Sequence, residues 1–188
     1  MRIISGDLKG KKILLPKNKL TRPLKDLTKE SIFNIIKHSK LLDVCLEKAN
    51  VLDLFSGVGS FGLECLSRGA QFVTFLESYK EALTILKKNI SNMKQQNYSS
   101  IIEKDIFSEN TLKLLNNKYD IIFMDPPYKE RKVLDILNTI IKSNLLKKNG
   151  IIIIHRHKKE EDIFPKEFKT IINKNYGISK IIFGNNLA

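Results

Sequence analysis

Val51–Ala70, VLDLFSGVGSFGLECLSRGA, decides how this chain folds. It opens with an apolar run of strand length, turns glycine-rich, and closes with apolar residues at helical spacing. Gly57, Gly59 and Gly62 stand as G-x-G-x-x-G between that strand and that helix. Glycines there let the backbone turn tightly and let a ligand approach it closely. Glu77 ends the next apolar run, 20 residues after Gly57, where an acid can bind ribose hydroxyls. Strand, turn, helix and acid in that order point to an adenosine-bearing ligand.

Outward from this unit the chain alternates. Strands are predicted near 50–55, 72–77, 100–104, 120–124 and 150–155, with helices near 60–68, 79–94, 107–116 and 130–146. Such alternation builds a parallel sheet with helices on both faces and right-handed crossovers. Two more strands, near 169–174 and 178–184, meet at Asn175-Tyr176-Gly177 as a hairpin, which adds an antiparallel strand at the sheet edge. Before the alternation, RIIS and KKILLP flank Gly6 to Gly10 as a short β-hairpin. PLKDLTKESIFNIIKHS follows as a helix, with Pro23 near its start and Leu27, Ile32, Ile35 and Ile36 near one face.

With 188 residues the chain can bury a full core, and its 42% hydrophobic and 28% charged content is that of a soluble globular protein. No apolar run reaches membrane-helix length, and the first residues lack the apolar centre of a secretory signal, so a cytoplasmic protein is expected. Cys45 and Cys65 have no metal-ligand spacing and read as small apolar side chains. The net charge is +13, and residues 1–40, with 11 Lys/Arg against 3 Asp/Glu, carry +8 of it. Charge concentrated in this way favours a polyanionic partner, because phosphate contacts release counterions. Residues 1–40 therefore read as a basic hairpin-plus-helix extension suited to nucleic acid, and 41–188 as the core domain.

Two further features turn the reading away from a dinucleotide. Asp53 stands just before the glycine loop, where it would disfavour a pyrophosphate but suit a ligand ammonium. S-adenosylmethionine offers an ammonium, a ribose diol and an adenine, for which Asp53, Glu77 and Asp105 of EKDIF are the matching acids. The second feature is YDIIFMDPPYKE, Tyr119–Glu130, in which a buried strand runs into an acid, two prolines and an aromatic ring. Asp/Asn-Pro-Pro-Tyr/Phe after the fourth strand resembles the signature of S-adenosylmethionine-dependent amino-group methyltransferases. A nucleobase amine is a poor nucleophile, so fixed acceptors must aim its lone pair at the methyl group and stabilise the positive charge growing on nitrogen. Asp125 and the carbonyls of a stiff Pro126–Pro127 turn can do this, and Tyr128 can stack on the base.

MRIISGDLKGKKILLP, TRPLKDLTKESIFNII, LDLFSGVGSFGLECLSRGA, DPPY and NYGISKIIF, in this order, resemble the RsmD family over nearly the whole chain. The resemblance implies a Rossmann-like methyltransferase fold with a seven-stranded, mostly parallel sheet. It also implies methylation of the N2 amine of one guanine in 16S rRNA, within a small-subunit assembly particle. Cofactor contacts would fall on Asp53, Phe55, Gly57, Gly59, Glu77 and Asp105, and target contacts on Asp125, Pro126, Pro127 and Tyr128. Lys9, Lys11, Lys12 and Arg22 would hold the RNA backbone, with the target base extruded into a pocket beside Tyr128. Neither a metal nor a second protein chain is required, so a monomer is expected. The chain departs from the family pattern at Leu24, Leu27, Val58 and His155.

Four other functions compete. A protein glutamine methyltransferase would carry a related motif beginning with Asn and would leave the basic hairpin unexplained. A DNA adenine-N6 methyltransferase would need a target-recognition region that so short a chain lacks. A non-catalytic RNA-binding assembly factor would have no use for Asp53, Glu77 and Asp125 together. An NAD-dependent oxidoreductase would leave DPPY without a purpose. His155 and His157 alternate on one strand face, and without a third ligand they read as solvated or phosphate-facing rather than metal-binding.

Overall fold

The computed structural model describes residues 1–16, 24–108, 110–127 and 130–186. Helix α1 (Asp26–His38) precedes the alternating part: β1 (Asn50–Leu54), α2 (Ser60–Ser67), β2 (Phe72–Leu76), α3 (Lys80–Asn92), β3 (Ser99–Ile102), β4 (Tyr119–Met124), α4 (Val133–Lys142) and β5 (Leu146–His157). The hairpin β6 (Phe168–Tyr176) and β7 (Ser179–Asn186) closes the chain. The seven strands lie in the order β3-β2-β1-β4-β5-β7-β6. The first five are parallel, and β7 runs antiparallel between β5 and β6. The hairpin thus joins the predicted edge, but its antiparallel strand is the inner one and β6 forms the edge itself.

Alternation along each strand sends side chains to two cores. Val51, Phe75, Phe123, Ile151 and Ile153 face one side, where α1, α2, α3 and the N-terminal segment cover them. Leu52, Leu54, Met124, Ile152 and Ile154 face the other, covered by α4 and the segment 106–115. Helix α4 forms because Val133, Ile136, Leu137 and Ile140 make one buried stripe, and Asp135 and Lys142 suit the two ends of its dipole. Truncating one of the fully buried isoleucines of β5 to Ala would cost about 2–5 kcal/mol.

The stretch 107–116 is not the predicted helix. It holds a turn and one 3-10 turn at Leu112–Leu114. Asn110 lies at φ 68°, in the left-handed region, and interrupts any helix there, while Leu112 and Leu115 still reach the core. In α1 the buried face is Ile32, Phe33 and Ile36, and Leu27 is 71% exposed rather than on that face. The N-terminal hairpin is small, with an antiparallel bridge between Arg2 and Lys12. Its Ile3, Leu8 and Ile13 are nevertheless buried in the same core as the sheet.

Glu64 of α2 fastens this segment. Its carboxylate accepts from the backbone of Ile4 (2.9 Å) and Ser5 (3.0 Å), and pairs with Lys29 of α1 (3.2 Å) and Arg68 (2.9 Å). Phe33 stacks on Phe61 at 5.2 Å, and Phe61 on Phe123 of β4 at 3.9 Å. Asn89 of α3 accepts from the backbone N–H of Leu14 and donates to the carbonyls of Leu14 and Val58, and so bridges the N-terminal segment to the glycine loop. No helix among the described residues is long and apolar enough to cross a membrane.

Candidate active site

The chain goes from β1 to β2 and β3 on one side, then returns to β4 on β1's other flank. The carboxyl ends of β1 and β4 therefore flank the point where strand order reverses, the usual ligand crevice of open α/β sheets. A cleft of about 600 Å³ opens there. The β1 loop supplies Phe55, Gly57 and Val58 to its wall, the β2 end Glu77 and Tyr79, the β3 end Asp105 and Phe107. The β4 end supplies Asp125, Pro126 and Pro127, and β5 supplies His155.

Local geometry explains the loop. Phe55, at φ 60°, turns the chain sharply out of β1, and Ser56 bonds through its hydroxyl and its N–H to the carbonyl of Leu76, tying the turn to β2. A Cβ on Gly57 would meet no atom within 4 Å, so this glycine leaves the backbone open to a ligand at φ 55°. A Cβ on Gly62 would lie 2.3 Å from the Phe75 ring, so that glycine lets α2 pack on the sheet. Glu77 accepts the Gly57 N–H through Oε2 (2.7 Å) and the Ser78 and Tyr79 N–H groups through Oε1 (2.8 Å each). Oε2 keeps acceptor capacity for ligand hydroxyls. Asp105 accepts the Phe107 N–H (3.0 Å), and the Phe107 and Phe55 rings lie 6.0 Å apart in a tilted pair.

Of the residues expected to hold the cofactor, the structure brings Phe55, Gly57, Glu77 and Asp105 to the cleft. Asp53 and Gly59 are not in its lining. The Asp53 side chain does not point out of the strand end. It is buried (1% exposed) beneath the loop, where its Oδ2 accepts the Gly62 N–H at 3.0 Å. Desolvation pushes its carboxyl up to about 8, the Gly62 N–H pulls down, and the charges of Asp125 and Glu77 push up further. Asp53 therefore supports the loop from below, through the N–H of Gly62. Asp125, Pro126 and Pro127 line the cleft as expected, while Tyr128, Arg22 and Pro23 lie outside the described residues. Lys9, Lys11 and Lys12 are exposed, and their turn packs against Ser67, at the far end of α2 from the loop.

The family described as conserved hypothetical protein 95 matches residues 1–185. The chain belongs to this family, the RsmD family. Ribosomal RNA small subunit methyltransferase D of Buchnera aphidicola subsp. Acyrthosiphon pisum is 36% identical over 170 residues, 88% of this chain and 83% of that protein. The solved structure of HI0767 from Haemophilus influenzae is similar with a TM-score of 0.78 at 30% identity, covering 100% of this chain and 98% of that one. That of yhhF from Escherichia coli gives a TM-score of 0.81 with the same coverage, and at 22% identity it speaks to the fold alone.

Several residues of this RsmD-family cleft escape a reading of the sequence. His155 is neither solvated nor phosphate-facing. It is 6% exposed, with Nδ1 2.7 Å from Asp125 Oδ1 and Nε2 2.9 Å from Ser179 Oγ. His157, in contrast, is only half-buried and accepts the Lys159 N–H. Arg156 is fully buried, bonds Asp162 through Nε (3.0 Å to each oxygen), and reaches the carbonyls of Pro127 (3.2 Å) and Glu130 (2.8 Å). A charged pair interrupting the apolar run IIII HR H was the available signal for both. Lys25, which lines the cleft beside Leu24, carried no signal beyond its charge. Burial pushes the Cys65 thiol up, as suits a small apolar side chain. Among the described residues no cluster of three or more His, Cys, Asp or Glu could hold a metal.

Proposed function

We propose that this chain transfers a methyl group from S-adenosylmethionine to the N2 amine of a guanine in 16S rRNA, within a partly assembled small subunit. One observation carries the chemistry: the Asp125–Pro126–Pro127 turn opens onto the same cleft as the open glycine loop and the acids Glu77 and Asp105. The names of the relatives, which specify ribosomal RNA and the small subunit, carry the substrate.

The cleft suits a cation with an adenosine body. Glu77, Asp105, Asp125 and Glu130 line it against Lys25, in a chain whose net charge is +13. When bound, the cofactor would supply an electrophilic sulfonium methyl group. Glu77 would accept from the ribose hydroxyls, Asp105 from the adenine amine, and the Phe55 and Phe107 rings would flank the base. Val58 and Gly57 would bring loop backbone against the amino-acid end.

On the target side, Asp125 accepts one amine hydrogen. The two proline carbonyls are not equivalent, because that of Pro127 already accepts from the Glu130 N–H (2.8 Å) and from Arg156 (3.2 Å). The second amine acceptor is therefore the Pro126 carbonyl. Held by both, the nitrogen presents its lone pair to the methyl group. Methylation would leave that nitrogen cationic with a proton to lose, for which the Asp125 carboxylate would be the adjacent base.

The test is tritiated methyl transfer to small-subunit particles from cells lacking the enzyme, followed by nucleoside analysis. Label in N2-methylguanine of 16S rRNA is expected. Label in N6-methyladenine, or only in protein, would overturn the substrate. Asp125→Ala should lower the transfer rate at least about 100-fold, as loss of fixed positioning does. Cofactor binding measured by calorimetry should survive the change, and a parallel loss of binding would make Asp125 a cofactor residue instead.

A further inference from the structure

The arrangement Ser179–His155–Asp125 has the donor–acceptor distances of a hydrolase triad: 2.9 Å from Oγ to Nε2 and 2.7 Å from Nδ1 to Oδ1. Its polarity in the fold is the reverse of a hydrolase's. The serine is 5% exposed at the start of β7, while Asp125 and His155 line the cleft. A serine nucleophile must meet the substrate, so this triad is not built for acyl transfer. Its reactive end is the carboxylate.

We infer that His155 is the positioning residue of the transfer reaction, orienting the Asp125 carboxylate towards the target amine and itself fixed by Ser179. This rests on the methyl-transfer reading above and assigns a device within it. A carboxylate only accepts hydrogen bonds, so the contact at 2.7 Å requires the proton on His155 Nδ1. In the neutral ring Nε2 is then an acceptor, and the Ser179 hydroxyl donates to it. The tautomer is thus set by Asp125 at the β4 end, and the Ser179 hydroxyl at β7 complements it and holds the ring in place. With Oδ1 engaged by the imidazole, Oδ2 is left to accept from the amine.

The strands make the device rigid. Met124 of β4 pairs with Ile154 of β5, which places Asp125 beside His155. His157 of β5 pairs with Ser179 of β7, two residues from His155 on the same strand face. Arg156, the residue between the two histidines, holds the Pro127 and Glu130 carbonyls, so adjacent residues of β5 grip both the side chain and the backbone of the turn.

Three variants assayed for transfer, and spectra of the wild type and Asp125→Ala, test this. His155→Leu removes the donor and should lower kcat by about 10–100-fold, the usual effect of losing a group that orients an active one. KM for the particle and the affinity for S-adenosylmethionine should stay at the wild-type values. His155→Asn, whose amide N–H can stand near the Nδ1 position, should recover much of that loss, and Ser179→Ala should lose less than His155→Leu. Equal kcat in wild type and His155→Leu would overturn the inference. So would equal damage in His155→Leu and His155→Asn, or a loss of cofactor affinity that matches the loss of kcat. Long-range 1H–15N spectra of the wild-type protein should show the Nδ1–H tautomer at His155, changing in Asp125→Ala. An Nε2–H tautomer in the wild type would overturn the inference without any substrate. Failure of the wild type to methylate small-subunit particles would instead refute the proposed function and leave the spectrum to decide the tautomer.

Discussion

Along the seam between the N-terminal segment and α2, Glu64 meets four donors, whereas beneath the glycine loop Asp53 meets one backbone N–H among the described residues. Both carboxylates are almost fully excluded from solvent. Two of the groups on Glu64 are cations, Lys29 and Arg68, and a buried charge is tolerable when it is paired and saturated with hydrogen bonds. The acids nearest Asp53 in its electrostatic surroundings are Asp125 and Glu77, which oppose its ionisation. The seam uses its charges to hold two pieces of chain together. Among the described residues the cleft sets four acids against Lys25, a balance that suits a cationic ligand.

Breaking the saturated side should have the larger effect. In Glu64→Gln, Lys29 remains buried at 0% exposure with no carboxylate opposite it. Removing one partner of a buried pair costs about 3–5 kcal/mol. Urea denaturation should show the stability falling by that amount, and the segment 1–16 should lose protection in hydrogen exchange. A loss below about 1 kcal/mol, the scale of an exposed pair, would mean that Glu64 is solvated in solution.

The unsaturated side should respond to pH. The carboxyl of Asp53 stands at about 8 in the folded protein against an ordinary 3.8, chiefly through desolvation. Between those values the folded chain keeps a proton that the unfolded chain releases. This contribution to stability is complete below pH 3.8, falls as pH rises, and is lost by about pH 8. Asp53→Asn cannot release a proton and can still accept the Gly62 N–H. Its stability should therefore fall less steeply than the wild type's over that interval, measured by denaturation at several pH values. Identical slopes in the two proteins would mean that Asp53 ionises freely beneath the loop.

This contrast also separates what the sequence could express from what it could not. The period-2 and helical apolar patterns, with glycines at chain reversals, made β1 through β5 and their helices legible, since burial alone dictates them. The segment 107–116 misled because Leu112 and Leu115 keep a helix-like spacing while Asn110 breaks the helix. In the site, Gly57, Glu77, Asp105 and the Asp125 turn are local to strand ends and could be placed from order alone. Lys29–Glu64 and Asp125–His155–Ser179 join residues 35, 30 and 24 positions apart, and nothing in a one-dimensional pattern pairs them. Asp53 was placed at the correct strand end, but its burial under the loop and its bond to the Gly62 N–H were not legible. Whether a residue at a strand end faces the cleft or the loop above it depends on how that loop folds back.

The smallest effect is expected at the exposed end of the N-terminal segment. Lys9, Lys11 and Lys12 are exposed and belong to the core only through their neighbours Leu8 and Ile13, so their ammonium groups are open to phosphate. The segment reaches Ser67 at one end and Asn89, beside Val58 of the glycine loop, at the other, and so runs along α2 towards the cleft. Replacing all three by Ala should weaken RNA binding and flatten the dependence of log K on log salt by roughly 2, about 0.7 for each phosphate of single-stranded RNA that is no longer neutralised. Folding stability should hardly change, because among the described residues these side chains have no buried partner to leave behind. A weakened affinity with an unchanged salt slope would mean that the lysines act through the fold of the hairpin, and would extend the structural role of Glu64 to the whole N-terminal segment.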